Sequence, residues 1–318
     1  RMVKECPECP KTACPSPEIF KEAYEAADAE AVFVITLSSH LSGSYNSAAL
    51  AKQLYEEEMK EKGITSSKKI EVLDSESASA GQLEQALYIR DLCEQGLNFE
   101  EVVEKLRKFR DEMHTYFVLE SLDTLRKNGR LSGLQAFFAT ALNIKPVMGA
   151  DHGVIIKLDQ ARGINKGLQR MCDIAIKEAG DTTGKRAVVC HVNNPERGEY
   201  VKQELAKRAS FKEIVVTNAA GVATVYANDG GIVLAKMNRK KWICTAAAIT
   251  GLLLAVIAGL SIRHMKNSSY VSASELAGQK SGSVSEKLEE NGNEDLAESS
   301  ESKNGQPDGK QDQENGVG

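Results

Sequence analysis

Aromatic residues are scarce in this 318-residue chain, at 5% with a single Trp, and charge is close to balance at −5. A near-neutral chain lacks the broad basic field that nucleic-acid binding exploits, so no nucleic-acid partner is expected. The seven cysteines (6, 9, 14, 93, 172, 190 and 244) are odd in number and form no regular framework. Cys6-Pro-Glu-Cys9 is half of a zinc or redox pair, but no second Cys-x-x-Cys and no close His completes a tetrahedral set. Neither a metal site nor a cofactor is therefore expected. Cys93, Cys172 and Cys190 sit inside apolar patterns and read as buried small hydrophobes, a usage that suits a reducing compartment. The opening Arg1-Met2 leads into a Cys/Pro-rich stretch without the charged and apolar regions of a secretory leader, and the front reads as truncated. No Gly-x-Ser-x-Gly elbow follows a strand, which argues against a serine hydrolase built on Ser39-His40.

What is present is an alternation of helix and strand from Pro17 onward. Amphipathic helices are expected over Glu18–Ala29, Tyr45–Lys62, Gly81–Gln95 and Asn98–Met113, with strands over Ala31–Leu37 and Lys69–Leu73 between them. A strand at Tyr116–Leu119, a helical turn at Ser121–Lys127, a helix over Leu131–Leu142 and a hairpin (Lys145–Met148, Gly153–Leu158) follow. Then come helix Lys166–Ala179, strand Ala187–Val192, helix Glu196–Ala209, strand Glu213–Thr217 and a β-like stretch, Val222–Ala235. Strands separated by helices of this length call for an α/β fold with a parallel, helix-covered sheet, which binds ligands beyond the carboxyl ends of its strands. Two lobes are expected, 1–113 with the parallel sheet and a smaller α/β lobe over 114–237.

The remainder has a different composition. Trp242–Ile262 is 21 residues without a charge, about 31 Å long as a helix, flanked by Arg239-Lys240-Lys241 and by Arg263, His264 and Lys266. It reads as a single-pass transmembrane helix of the cell membrane, with the cation bias favouring a cytoplasmic globular part. Residues 267–318 hold 11 acidic residues against 4 Lys, a net of −7, so the preceding 266 carry +2. This Ser/Glu/Asn/Gly-rich tail is too polar to offset its ordering entropy and is expected to be disordered.

The stretch Ile35-Thr36-Leu37-Ser38-Ser39-His40-Leu41-Ser42-Gly43-Ser44-Tyr45-Asn46-Ser47-Ala48 leaves an apolar strand through small hydroxyl residues into a helix. Unused backbone N–H groups, the helix dipole and neutral Ser donors make such a start a place for an anion, and no carboxylate or Lys interrupts residues 36–48. Lys11-Thr12-Ala13-Cys14-Pro15-Ser16-Pro17 is a second hydroxyl turn pinned by two prolines, able to converge with the first from a neighbouring strand end. Ser16 and the Ser-rich loop also have a plainer use as helix caps.

These motifs resemble the DegV family of bacterial fatty-acid-binding proteins. Thr12-Ala13-Cys14-Pro15-Ser16 stands where the family has Thr-Ser-Gln-Pro-Ser, and Leu37–Ala48 matches its Ser-Ser-x-Leu-Ser-Gly loop. Val72-Leu73-Asp74-Ser75 matches its strand ending in Asp-Ser, and Leu122–Leu131, with Gly129-Arg130, its Gly-Gly-Arg segment. The likeness covers about residues 4–235 and lacks the family's first strand. It implies a two-lobed carrier, not itself a catalyst, that holds one long-chain fatty acid between the lobes and presents its carboxylate to an ATP-dependent fatty acid kinase. Thr12 and Ser42 are the implied carboxylate ligands, with Ser39, Ser44, Asn46, Arg130 and Tyr226 in a second tier. Hydroxyls suit this task because they bind an anion without the desolvation cost of a buried cation. Burial of about fourteen methylenes at ~0.8 kcal/mol each supplies an upper figure near 11 kcal/mol before association costs. Two departures stand out: Ala13-Cys14 replaces Ser-Gln, and Tyr226-Ala227-Asn228-Asp229-Gly230 replaces a His followed by Gly-Pro-Gly. The alternative to a carrier is a membrane-anchored scaffold that has lost lipid binding.

Overall fold

The computed structural model describes residues 10–64, 68–131 and 143–237. The Cys6–Cys9 pair, most of the helix expected over 131–142, the apolar run 242–262 and the acidic tail 267–318 lie outside the described residues. Among the described residues no helix is long and apolar enough to cross a membrane.

Helix α1 (Pro17–Ala26) starts on Pro at its first turn, where a missing N–H costs nothing, and leads into β1 (Ala31–Thr36). Helix α2 (Ser44–Glu61) connects β1 to β2 (Lys69–Asp74), and the two strands pair in parallel as expected of a strand–helix–strand unit. Helices α3 (Ala80–Glu94) and α4 (Phe99–Glu112) follow. The α4 start is closed by a capping box: Asn98 Oδ1 accepts from the Glu101 N–H at 3.0 Å and Glu101 Oε2 from the Asn98 N–H at 2.9 Å.

From Met113 the chain builds a second sheet. Its strands are β3 (Met113–Val118), β4 (Ile144–Asp151), β5 (Val154–Arg162), β6 (Arg186–His191), β7 (Glu213–Asn218) and β8 (Ile232–Met237). Between them lie α5 (Asp123–Lys127), α6 (Ile164–Ala179), α7 (Pro195–Ala206) and α8 (Gly221–Ala227). The order is β5-β4-β3-β8-β6-β7, and only β6 and β7 run parallel. Among the described residues this sheet is the larger of the two, six strands against two, where the smaller lobe was expected. The parallel order that the helix–strand alternation suggests holds for β1–β2 and β6–β7 only; the tight Asp151–Val154 hairpin and the central β8 make the rest antiparallel.

Strand alternation sets the two cores of the larger sheet. Tyr116 and Val118 point to a core with Leu168, Met171 and Cys172 of α6 and Val201 and Leu205 of α7. Phe117 points the other way, into a core with Ala80 and Phe109 of α3 and α4. A third, smaller core joins Tyr24, Ala51, Tyr55 and Ile70 around the two-stranded sheet. Cys172 and Cys190 are buried as read from the sequence, and burial pushes the Cys172 thiol up to about 12. Cys93 is exposed instead, because the last turn of α3 turns it outward.

The expectation of β structure from Val222 is corrected for its first half. Val222–Ala227 belongs to α8, and only Ile232 onward is strand. Val222, Ala223, Tyr226 and Ala227 recur at helical spacing and share one apolar environment, which outweighs the strand preference of the two valines.

Arg186 on β6 draws the helical layer to the sheet. It is 7% exposed, bonds Glu213 at 2.7 Å and also pairs with Asp91, while Glu84 on α3 stands 3.9 Å away at 2% exposure. The Glu84 Oε2 atom has no hydrogen-bond partner among the described residues, and burial lifts this carboxyl to about 8 against the opposing pull of Arg186. The folded chain then keeps a proton that the unfolded chain releases above about pH 4.5, so stability falls as pH rises from there to about 8. Glu84→Gln removes this penalty: its gain in thermal midpoint should be larger at pH 8 than at pH 5. A pH-independent gain would contradict the assignment.

Candidate functional site

A cavity of about 640 Å³ lies between the loops at the carboxyl ends of β1 and β2 and the α3-facing side of the larger sheet. That size falls within the roughly 300–1,000 Å³ of small-molecule sites. Its walls are mostly apolar, with Val34, Leu41, Phe117, Leu119, Ile155 and Val233 among them. Thr115, Phe117 and Leu119 line it together because alternate strand residues share a face, and at about 3.3 Å per residue they run along roughly 13 Å of wall. Helix α8 adds Val222, Ala223, Tyr226 and Ala227. Gly231 lets this helix sit close: a Cβ there would lie 2.3 Å from the Ala227 carbonyl oxygen and 2.9 Å from Leu119.

The polar groups of the Leu119 end come in pairs. Thr12 Oγ1 and the Tyr226 hydroxyl are 2.8 Å apart, and Ser42 Oγ and Ser44 Oγ are 2.9 Å apart. Each pair owns two hydroxyl protons and uses one in its mutual bond, so each keeps a proton to donate. Arg130 ties the pairs together, its guanidinium 5.6 Å from the Tyr226 ring centre and its Nε donating to the Leu41 carbonyl at 3.1 Å. Its remaining bond goes to the Asn128 carbonyl, and it has no carboxylate partner among the described residues. Gly43 brings the two turns into contact, since a Cβ there would lie 3.2 Å from Cys14 Sγ. Two surplus hydroxyl protons and the Arg130 guanidinium thus stand together at the edge of an apolar cavity, an arrangement chemically suited to an anionic group.

Of the residues singled out from the sequence, Thr12, Ser42, Ser44, Arg130 and Tyr226 line this cavity. Ser39 and Asn46 are exposed and stand outside its lining. The Ser39 N–H is taken by the Asp74 carboxylate at 3.1 Å, and Asn46 lies on the outward side of the first turn of α2. Ser39 and His40 make no hydrogen bond to each other among the described residues, which leaves the hydrolase arrangement without its first requirement.

The opposite end contains residues that sequence reading did not single out: Glu76, Ser77 and Thr115. Ser77 and Thr115 are 3% and 5% exposed, with their hydroxyl oxygens 2.5 Å apart. Glu76 and Ser79, which bracket Ser77, have φ of +51° and +42°, a region L residues rarely enter. Nothing in the pattern Met113-His114-Thr115-Tyr116-Phe117 marks Thr115 as anything but a strand residue; its alternation with Phe117 and Leu119 was the available signal.

The tip of the β4–β5 hairpin completes this end of the wall. Ser38 Oγ donates to the Gly153 carbonyl at 2.9 Å, His152 Nδ1 lies 3.2 Å from Glu76 Oε2, and Arg110 Nε approaches Glu76 Oε1 at 3.5 Å. Gly153 has φ +81°, and a Cβ there would lie 2.5 Å from Ser38 Oγ and 3.1 Å from the Glu76 Cα. Gly153→Ala should destabilise the chain by about 1–3 kcal/mol in denaturant unfolding. Gly63→Ala, with φ +68° but nothing within 4 Å, should cost less. Equal losses would mean that the hairpin tip is not packed against the loop.

Comparison with known proteins places the chain in a family. The profile of the family described as "Uncharacterised protein, DegV family" matches residues 1–236. A DegV domain-containing protein of Streptococcus pneumoniae is 35% identical over 229 residues, 71% of this chain and 78% of that protein. The crystal structure of a DegV family protein from Ruminococcus gnavus, refined with vaccenic acid, superimposes with a TM-score of 0.68 at 45% identity. That match covers 73% of this chain and 81% of the other. The fatty acid kinase (Fak) B3 protein of S. pneumoniae, loaded with linoleic acid, gives 0.66 at 34% identity over 75% of this chain and 81% of its own. The chain belongs to the DegV family.

Proposed function

We propose that this chain is a fatty-acid-binding carrier that holds one long-chain acid between its two sheets. The observation that carries the reading is the pairing of hydroxyls beside Arg130 at one end of an apolar 640 Å³ cavity. Thr12–Tyr226 and Ser42–Ser44 each donate one proton to the carboxylate, and Arg130 adds positive charge within reach. Glu76 at the other end disfavours the reverse orientation, so the acyl chain runs along Thr115, Phe117 and Leu119 from the Leu119 end. Relatives whose crystals contain vaccenic and linoleic acids support the choice of ligand. Ser39 and Asn46 drop out of the ligand set because they stand outside the lining.

The reading extends to delivery. A carboxylate held at the edge of the cavity by neutral groups, rather than by a buried ion pair, can be offered to an ATP-dependent fatty acid kinase; likeness to the Fak B3 protein supports such a partner. Tyr226 supplies a proton donor where many relatives of the resemblance carry His, but not an imidazolium charge. On sequence grounds the apolar run 242–262 tethers the carrier to the cell membrane, with the globular part on the cytoplasmic side.

Titration with a long-chain fatty acid tests the site. Ser42→Val should weaken binding by about 1–3 kcal/mol, because the carboxylate loses a donor in a dry site. Unchanged affinity would remove Ser42 from the ligand set. Deletion of residues 239–318 should move the protein from the membrane fraction to the supernatant with fatty-acid binding intact; continued sedimentation with membranes would contradict the tether.

A further inference from the structure

We infer that the buried Ser77–Thr115 hydroxyl pair is a second polar station in the cavity, and that it fits the chain to long-chain acids bearing a hydroxyl in mid-chain. The inference rests on the carrier reading and names the class of acid that the same cavity accepts.

Three neighbouring hydroxyls are satisfied by the backbone. Thr36 Oγ1 donates to the Leu73 carbonyl at 3.1 Å, Ser38 Oγ to Gly153 at 2.9 Å and Ser75 Oγ to Ser77 at 3.1 Å. The Gln82 amide is likewise engaged, donating to the Ile35 carbonyl at 3.2 Å and accepting from the Ser79 N–H at 3.1 Å. Ser77 and Thr115 differ. Their oxygens bond each other, and the one further acceptor, the Ala78 carbonyl, is 3.5 Å from Ser77 Oγ, at the limit of a hydrogen bond. The pair therefore has two protons and one good bond, the same surplus as the two pairs at the carboxylate end. Both residues line the cavity, as do Phe117 and Ile155.

The pair is also held in place. A Cβ on Gly81 would lie 1.9 Å from Ser77 Oγ, so only glycine at the start of α3 leaves room for that hydroxyl where it stands. Thr115 is fixed by its strand, two positions from Phe117 and four from Leu119. A saturated chain passing the pair offers nothing for the remaining proton or the lone pairs. A hydroxyl on the acyl chain offers both an acceptor and a donor at the cost of no new charge. Roughly 13 Å along β3 separates this station from the Leu119 end, which places the complementary group well down the chain rather than beside the carboxylate.

The test compares stearate with 12-hydroxystearate on the full chain by titration calorimetry. The intact protein should bind the hydroxylated acid at least as tightly as stearate. Thr115→Val should lower the affinity for 12-hydroxystearate relative to that for stearate about tenfold, a selective loss of the size expected for one unpaired polar group in a dry site. Ser77→Ala, which removes the partner hydroxyl and adds no bulk, should give the same selective loss and serves where Thr115→Val does not fold. Rejection of 12-hydroxystearate by the intact chain, or equal losses for both acids in the variants, overturns the second station while leaving the carrier intact. Failure of the intact chain to bind either acid overturns the carrier reading, and this inference with it.

Discussion

A hydroxyl has one proton and two lone pairs, and two hydroxyls bonded to each other always keep one proton over. The cavity of this protein is organised around that surplus. At the Leu119 end, Thr12–Tyr226 and Ser42–Ser44 face a common space with Arg130 between them. Because the donors are neutral, they are held in a largely apolar wall without the desolvation cost of buried ions. Because each pair is internally bonded, neither member is orphaned when the site is without ligand. On the proposed reading, an anion gains donors already in position.

Everything that positions these groups follows from how the two sheets meet. β1 ends at Thr36 and delivers the Ser42–Ser44 loop to the start of α2, while α8 presents Tyr226 from the other sheet. The contact is tight enough that glycine is needed where chains touch: Gly43 against Cys14, Gly231 against the Ala227 carbonyl, Gly153 against Ser38. The charges of the cavity are also sorted, with Arg130 at one end and Glu76, paired with Arg110 and His152, at the other. On the proposed reading, this sorting gives a long amphiphilic anion both a place and a direction.

Much of this was legible in the sequence, for reasons tied to local chemistry. Hydroxyl turns before helix starts leave an unmistakable pattern, so the turns Lys11–Pro17 and Ile35–Ala48 stand out on reading, and the family resemblance implied Thr12, Ser42 and Ser44 within them, all three of which line the cavity. Ser39 and Asn46 belong to the same runs yet point away, because a run of residues does not reveal which side chains a turn aims inward. Thr115 was hidden in a strand, where only its pairing with Ser77 from a distant loop gives it meaning. The second sheet was underestimated because antiparallel β3 and β8 come from opposite ends of that region of the chain, and long-range pairing leaves no periodic mark. Residues Val222–Ala227 read as strand from their β-branched content and fold as helix because one face of α8 packs on the cavity wall.

The central claim concerns one headgroup and four hydroxyls, and a crystal structure of the chain grown with a long-chain fatty acid tests it most directly. The account places the carboxylate within hydrogen-bonding distance of Thr12 or Tyr226 and of Ser42 or Ser44, beside Arg130, with the acyl chain along Phe117 toward Thr115. A carboxylate bound at the Glu76 end, or an acid bound elsewhere on the surface with protein side chains filling the space between the sheets, would contradict it.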